Sequence, residues 1–143
     1  MATPTGRGQM SAIAVPTADD SAIGLELPTI TDEHMRAELA NMQPYTLLVL
    51  KKTAQYSRPE ADAVVWEHGR RNFGLRDAGL MPIVCPIVDG SEYAGIGIFT
   101  ASPERVSEIM SEDPGVKASV FAFEIYSIIG FPGSALPDRR RQD

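Results

Sequence analysis

The chain is poor in the residues that most often carry chemistry. Its 143 residues include one cysteine, Cys85, one tryptophan, Trp66, and two histidines, His34 and His68. A single cysteine excludes an intrachain disulfide and fits a reducing compartment. Two isolated histidines offer no set of metal ligands at a recognisable spacing. Basic residues are outnumbered, 13 Lys and Arg against 19 Asp and Glu, for a formal net charge of -6. That balance argues against nucleic acid as a partner, which needs a basic surface to replace counterions. The one basic cluster, Arg139-Arg140-Arg141, reads as a solvated tail. No apolar run approaches the ~20 residues of a membrane span, and the N-terminus lacks the apolar stretch of a secretory signal. The expectation is a soluble cytoplasmic chain with no membrane partner. A glycine-rich phosphate loop is also missing, since Gly95-Ile96-Gly97 falls inside a strand-like run.

What remains is an ordinary globular composition, 43% hydrophobic and 22% charged, in a length that suits one domain. Residues 1–43 read as a flexible extension, in which Thr31 is placed to cap a short helix over 32–40. Residues 44–128 read as the folded domain and 129–143 as a C-terminal tail. Within the domain, 45–51 is a strand. Ser57 is the expected cap of a helix running to about Ala78, where Gly79 stops it. A second strand over 80–88 carries two prolines, which place it at a sheet edge or a bulge. Asp89-Gly90 turns the chain into a third strand, 93–99. Ser102 and Pro103 open a second helix whose apolar face is Val106, Ile109 and Met110. Asp113-Pro114-Gly115 breaks it before a last strand over 120–126. Strand, helix, strand, strand, helix, strand is the ferredoxin-like βαββαβ order of an α+β domain. Right-handed crossovers put both helices on one face.

The strands are apolar on both faces. Leu47 and Val49 oppose Leu48 and Leu50, and Ile83 opposes Val84. Two helices cover one face only. The other predicts an exposed apolar patch larger than the ~300–600 Å² found on a typical monomer, so a homodimer closed sheet against sheet is expected.

The first helix places Ala61, Val65, His68, Asn72 and Leu75 on one inward stripe. An inward imidazole needs a polar partner. Asp113, at the end of the second helix, is the best acidic candidate, and together they form a usable general acid–base pair. From the residues alone, His68 reads equally as a satisfied core histidine and Asp113 as a helix cap. Candidate substrate contacts are Arg71, one turn from His68, together with Asn72, and Gly95 and Gly97 between the rings of Tyr93 and Phe99. Trp66 and Phe73 share a second helix face and are expected to pack. Cys85 is expected in the core.

The block from Tyr45 to about Tyr126 resembles the YCII-related family of the dimeric α+β barrel superfamily. The matching features are Tyr45-Thr46-Leu47-Leu48-Val49-Leu50, His68 in the first helix, Ala78-Gly79-Leu80, and Asp89-Gly90 ahead of Ala94-Gly95-Ile96-Gly97-Ile98. The most specific piece is Glu112-Asp113-Pro114-Gly115-Val116-Lys117-Ala118. The resemblance implies that His68 and Asp113 form the active-site pair of a homodimer that acts on a small organic molecule without cofactor. Elimination, isomerisation or cyclisation is the implied chemistry, of lyase or isomerase type. The rival readings are a non-catalytic ligand-binding or accessory protein of the same fold, and a cofactor-independent monooxygenase. The chain departs from the family pattern at Cys85 and Ser119, where glycine is usual.

Overall fold

The computed structural model describes residues 24–141; the N-terminal part of the expected extension, 1–23, lies outside them. Helix α1 (Asp32–Ala40) starts where Thr31 Oγ1 accepts from the His34 amide. It buries none of its residues. Strand β1 (Gln43–Lys52) follows, then a 3-10 turn (Ala54–Ser57), helix α2 (Ala61–Asp77), β2 (Ile83–Pro86), β3 (Tyr93–Phe99), α3 (Pro103–Ser111), α4 (Pro114–Lys117) and β4 (Phe121–Gly130).

The sheet order is β2-β3-β1-β4, with every neighbouring pair antiparallel. Helices α2 and α3 fill the two crossovers, which gives the ferredoxin-like α+β arrangement. Strand β2, bounded by Pro82 and Pro86, is an edge strand. One core lies between the sheet and the helices. Leu48, Leu50, Phe99, Phe121 and Ile125 meet Ala61, Val106, Ile109 and Met110 there. Thr46, buried in the same layer, donates its hydroxyl to the Ala101 carbonyl at 2.7 Å. Register pairs Leu47 with Ile98 and Tyr126, and Val49 with Ile96 and Glu124. These side chains form the opposite sheet face, where all are half-buried and, among the described residues, no helix lies over them.

Several boundaries differ from the sequence expectation. Ser57 does not cap α2. It ends the 3-10 turn, which Thr53 caps by accepting from the Gln55 amide. Arg58 precedes Pro59, and proline pushes its predecessor out of the helical region. Arg58 is extended (ψ 143°), so α2 begins one turn later, at Ala61, with no side-chain cap. Leu80 and Met81 belong to the turn that closes α2 rather than to β2. Their amides donate to Leu75 O across Gly79, whose φ is +76°. The prolines thus shorten β2 to four residues. The domain reaches slightly past 44–128, because Gln43 pairs with Gly130 in the β1–β4 ladder. Helix α4 was not anticipated. It grows from the segment expected only to break α3, with Asp113 as its cap.

Candidate active site

His68 lies mid-way along α2 and is 8% exposed. Asp113 caps α4 and is fully buried. The two meet across the helix layer, with His68 Nδ1 2.9 Å from Asp113 Oδ1 and 2.9 Å from Oδ2. Asp113 Oδ2 also accepts from the amides of Gly115 at 2.9 Å and Val116 at 3.2 Å. The Asp-Pro-Gly sequence explains this local structure. Asp113 is extended, Pro114 takes a first helical position that needs no donor, and Gly115 fits under a ring. A Cβ on Gly115 would lie 2.5 Å from Phe121 Cδ2.

Burial pushes the Asp113 carboxyl up. The hydrogen bond and charge of His68, with the Val116 and Gly115 amides, outweigh it and hold the group below the ordinary 3.8. Asp113 is therefore a carboxylate at neutral pH and accepts only, so His68 Nδ1 carries the proton. The other ring nitrogen, Nε2, is left as the acceptor. Asn72 Nδ2, one turn along α2, sits 3.1 Å from it. Asn72 Oδ1 is buried and has no partner among the described residues.

His68 and Asn72 open on a cavity of about 290 Å³ between α2, β2 and the helix-side face of the sheet. Leu50, Met81, Gly95 and Phe121 also line it. The Phe121 ring lies against the His68 imidazole, with centroids 4.7 Å apart and planes at 48°. The arrangement can hold an imidazole in one tautomer, accept a proton at Nε2, and stabilise the resulting charge through Asp113.

Of the expected substrate contacts, Asn72 and Gly95 are on the cavity wall. Arg71 is not. It lies on the other flank of α2, where Nη2 donates to Ile109 O at 2.7 Å and Nη1 stops 3.7 Å from Asp113 Oδ1. It braces the end of α3 beside the carboxylate. Gly97 makes room for Met81, whose Sδ would stand 2.5 Å from a Cβ there. Phe99 is sealed in the core at the far end of β3. Tyr93 pairs with Lys51 beyond a register shift between Leu50 and Lys51, which turns it to the open face under the Lys51 ammonium. Cys85 pairs with Ile96 on that open face and is half-buried, not part of the core.

Trp66 and Phe73 do not pack. They are 70% and 60% exposed. At about 100° per residue both lie ~150° round α2 from His68, so the stripe that buries His68 turns them outward. Residues that sequence reasoning missed as site residues include Tyr56, Val65, Gly69, Met81, Cys85 and Phe121, all on the cavity wall. Phe121 had a signal, since it shares a face with Phe123 and Ile125. Tyr56 had none, because its place depends on the 3-10 turn.

Among the described residues no cluster of His, Cys, Asp or Glu could hold a metal ion, and no helix is long and apolar enough to cross a membrane. No protein-family model and no curated protein matches the chain.

Proposed function

We propose that the chain is a small acid–base enzyme of the YCII-related type, acting by proton transfer on a small organic molecule. The observation that carries this reading is the string Asp113–His68–Asn72 ending on a cavity rather than in a packed layer. Asp113 fixes the proton on Nδ1, which leaves the Nε2 lone pair as base. A substrate proton passes to Nε2 when the Asn72 amide turns over. Its Oδ1 then accepts from the new Nε2–H, and its Nδ2–H is released towards the substrate. Asp113, ionised throughout, holds the imidazolium charge. Elimination, isomerisation and cyclisation all begin or end with such a transfer.

Hydrogen–deuterium exchange at carbon tests this directly. A panel of small ketones and lactones in D₂O is followed by NMR with wild type and His68→Ala. Exchange of at least one member depends on His68. Equal exchange by the folded variant refutes the assignment.

The same reading includes a homodimer that hides the open sheet face. Leu47, Val49, Ile96, Ile98 and Tyr126 form its apolar centre, and a second copy would cover it at about 10 Å. Sedimentation should give a dimer for wild type and a monomer for Leu47→Glu. A wild-type monomer would remove this part.

Two observations favour a second reading, a non-catalytic ligand-binding protein. Asp113 also caps α4, and Asn72 already occupies Nε2. In that case ligands bind and protect the fold, and no member of the panel exchanges.

A further inference from the structure

Trp66 and Phe73 sit two helical turns apart on the outer side of α2, and Gly69 lies between them. Together with Tyr56 they form a groove of about 630 Å³. Tyr56, Val65 and Gly69 line both this groove and the His68 cavity. On the helix, Val65 and Gly69 lie at angles between His68 and the outer pair, so they form the junction. A line of rings follows the same path. Tyr56 is 5.7 Å from Phe121, and Phe121 is 4.7 Å from His68.

Gly69 is the telling residue. A glycine inside a helix is destabilising relative to alanine. Nothing in the backbone demands it here, because its φ is that of an ordinary helix. Packing does not demand it either, since a Cβ would meet nothing within 4 Å. Gly74 is equally unconstrained, but it is exposed and lines neither hollow. At Gly69 the missing side chain keeps the junction open.

We infer that the Trp66–Phe73 groove is the outer half of the substrate site, and that it binds a planar, conjugated, uncharged ring system whose reacting group passes over Gly69 to His68. This rests on the acid–base reading above. Size supports it. The inner cavity alone, about 290 Å³, falls just short of the ~300–1,000 Å³ range of small-molecule sites, and the two hollows together come within it, towards its upper end. The walls support a flat ring, since exposed aromatic faces gain by stacking. Arg70 on the groove wall is already paired with Glu67 at 3.1 Å, and the wall's other charged residue is Asp62, so nothing there selects an anionic ligand.

The experiment titrates the full chain with 2-acetylnaphthalene, a planar ketone. Trp66 is the only tryptophan and His68 one of two histidines, so one indole N–H signal and one imidazole C–H pair report the two halves. Both should shift with one common saturation curve. Gly69→Leu should fold at least as stably as wild type yet bind the probe at least tenfold more weakly. Unimpaired binding by a folded Gly69→Leu overturns the proposal. So does a Trp66 shift without His68, which marks the groove as a separate surface. A His68 shift without Trp66, or no shift of either, also overturns it. The acid–base reading is judged separately, by His68-dependent exchange of the small ketones and lactones, which do not need the groove.

Discussion

Replacing Asp113 by asparagine should move a proton across the His68 ring without unfolding the chain. In the native site the carboxylate accepts from His68 Nδ1–H and from the amides of Gly115 and Val116. An asparagine oxygen can still accept from the two amides, which leaves its NH₂ facing Nδ1. Two donors cannot face each other, so the imidazole must take the Nε2–H tautomer and present Nδ1 as acceptor. The cost is the difference between a charged and a neutral hydrogen bond, about 1 kcal/mol. Asp113→Ala is harsher. It removes a helix cap worth about 1 kcal/mol, and it strands a buried Nδ1–H at a further ~2 kcal/mol. The alanine variant should therefore be about 2 kcal/mol less stable than the asparagine variant. Two-bond ¹H–¹⁵N spectra, recorded as a series into alkaline pH, read the tautomer. Only His34, exposed on α1, gives a second set of signals. Wild type should show the proton on Nδ1 and Asp113→Asn should show it on Nε2. Proton exchange should fall with the tautomer, as Nε2 is no longer a base. An unchanged tautomer in Asp113→Asn, or equal stability of the two variants in urea, would break the argument.

Ser119 has a φ of +60° and is the one non-glycine residue with positive φ among those described. It closes α4 by donating its amide to Val116 O, so Ser119→Gly should raise the urea midpoint by the equivalent of ~1 kcal/mol. Gly115→Ala should cost roughly 1–3 kcal/mol, because the added methyl meets Phe121 at 2.5 Å; it should also shift the His68 ring signals, since Phe121 must move. Acid should act through Asp113. Its folded value lies below the unfolded 3.8, so its contribution is present above 3.8 and is lost as pH falls through the folded value. The stability gap between wild type and Asp113→Asn should therefore narrow below pH 3.8, as urea unfolding across that range would record.

The fold was legible wherever period and punctuation agreed. β1 is a continuous apolar run whose burial alternates, and Ser102-Pro103 and Gly79 mark helix ends that the structure keeps. Local exceptions had local causes. Pro59 delayed α2 by a turn, and Pro82 with Pro86 cut β2 to four residues. The meeting of His68 and Asp113 was legible because an inward histidine has to find an acceptor, and the topology brings the end of α3 alongside α2. The cavity wall was less legible. Gly95 and Gly97 are two apart on one strand face and look alike in sequence, yet one lines the cavity and the other receives Met81. That difference depends on where a side chain from outside the strand comes to rest, which no periodicity encodes. Trp66 and Phe73 misled for a related reason. Large rings are buried by default, and only the angle from His68 around α2 shows that these two face out.

Asp113 holds up the fold and the site at once, and a double variant separates the two duties. Capping α4 does not require a charge. A serine would accept from the same amides without burying a carboxylate. Filling the layer does not require an imidazole either, and an apolar side chain of similar volume would do so at no desolvation cost. Buried ion pairs can often be exchanged for such residues with no loss, whereas removing one partner costs ~3–5 kcal/mol. His68→Leu with Asp113→Ser should therefore be within about 1 kcal/mol of wild type. His68→Leu alone should be clearly weaker, because it leaves the Asp113 carboxylate fully buried with only two amides and the Arg71 guanidinium at 3.7 Å to compensate it. If the pair exists for chemistry, the double variant folds, stays compact and exchanges no protons. If the pair exists for stability, the double variant unfolds in less urea than either half of that argument allows, and the acid–base role loses its main physical support.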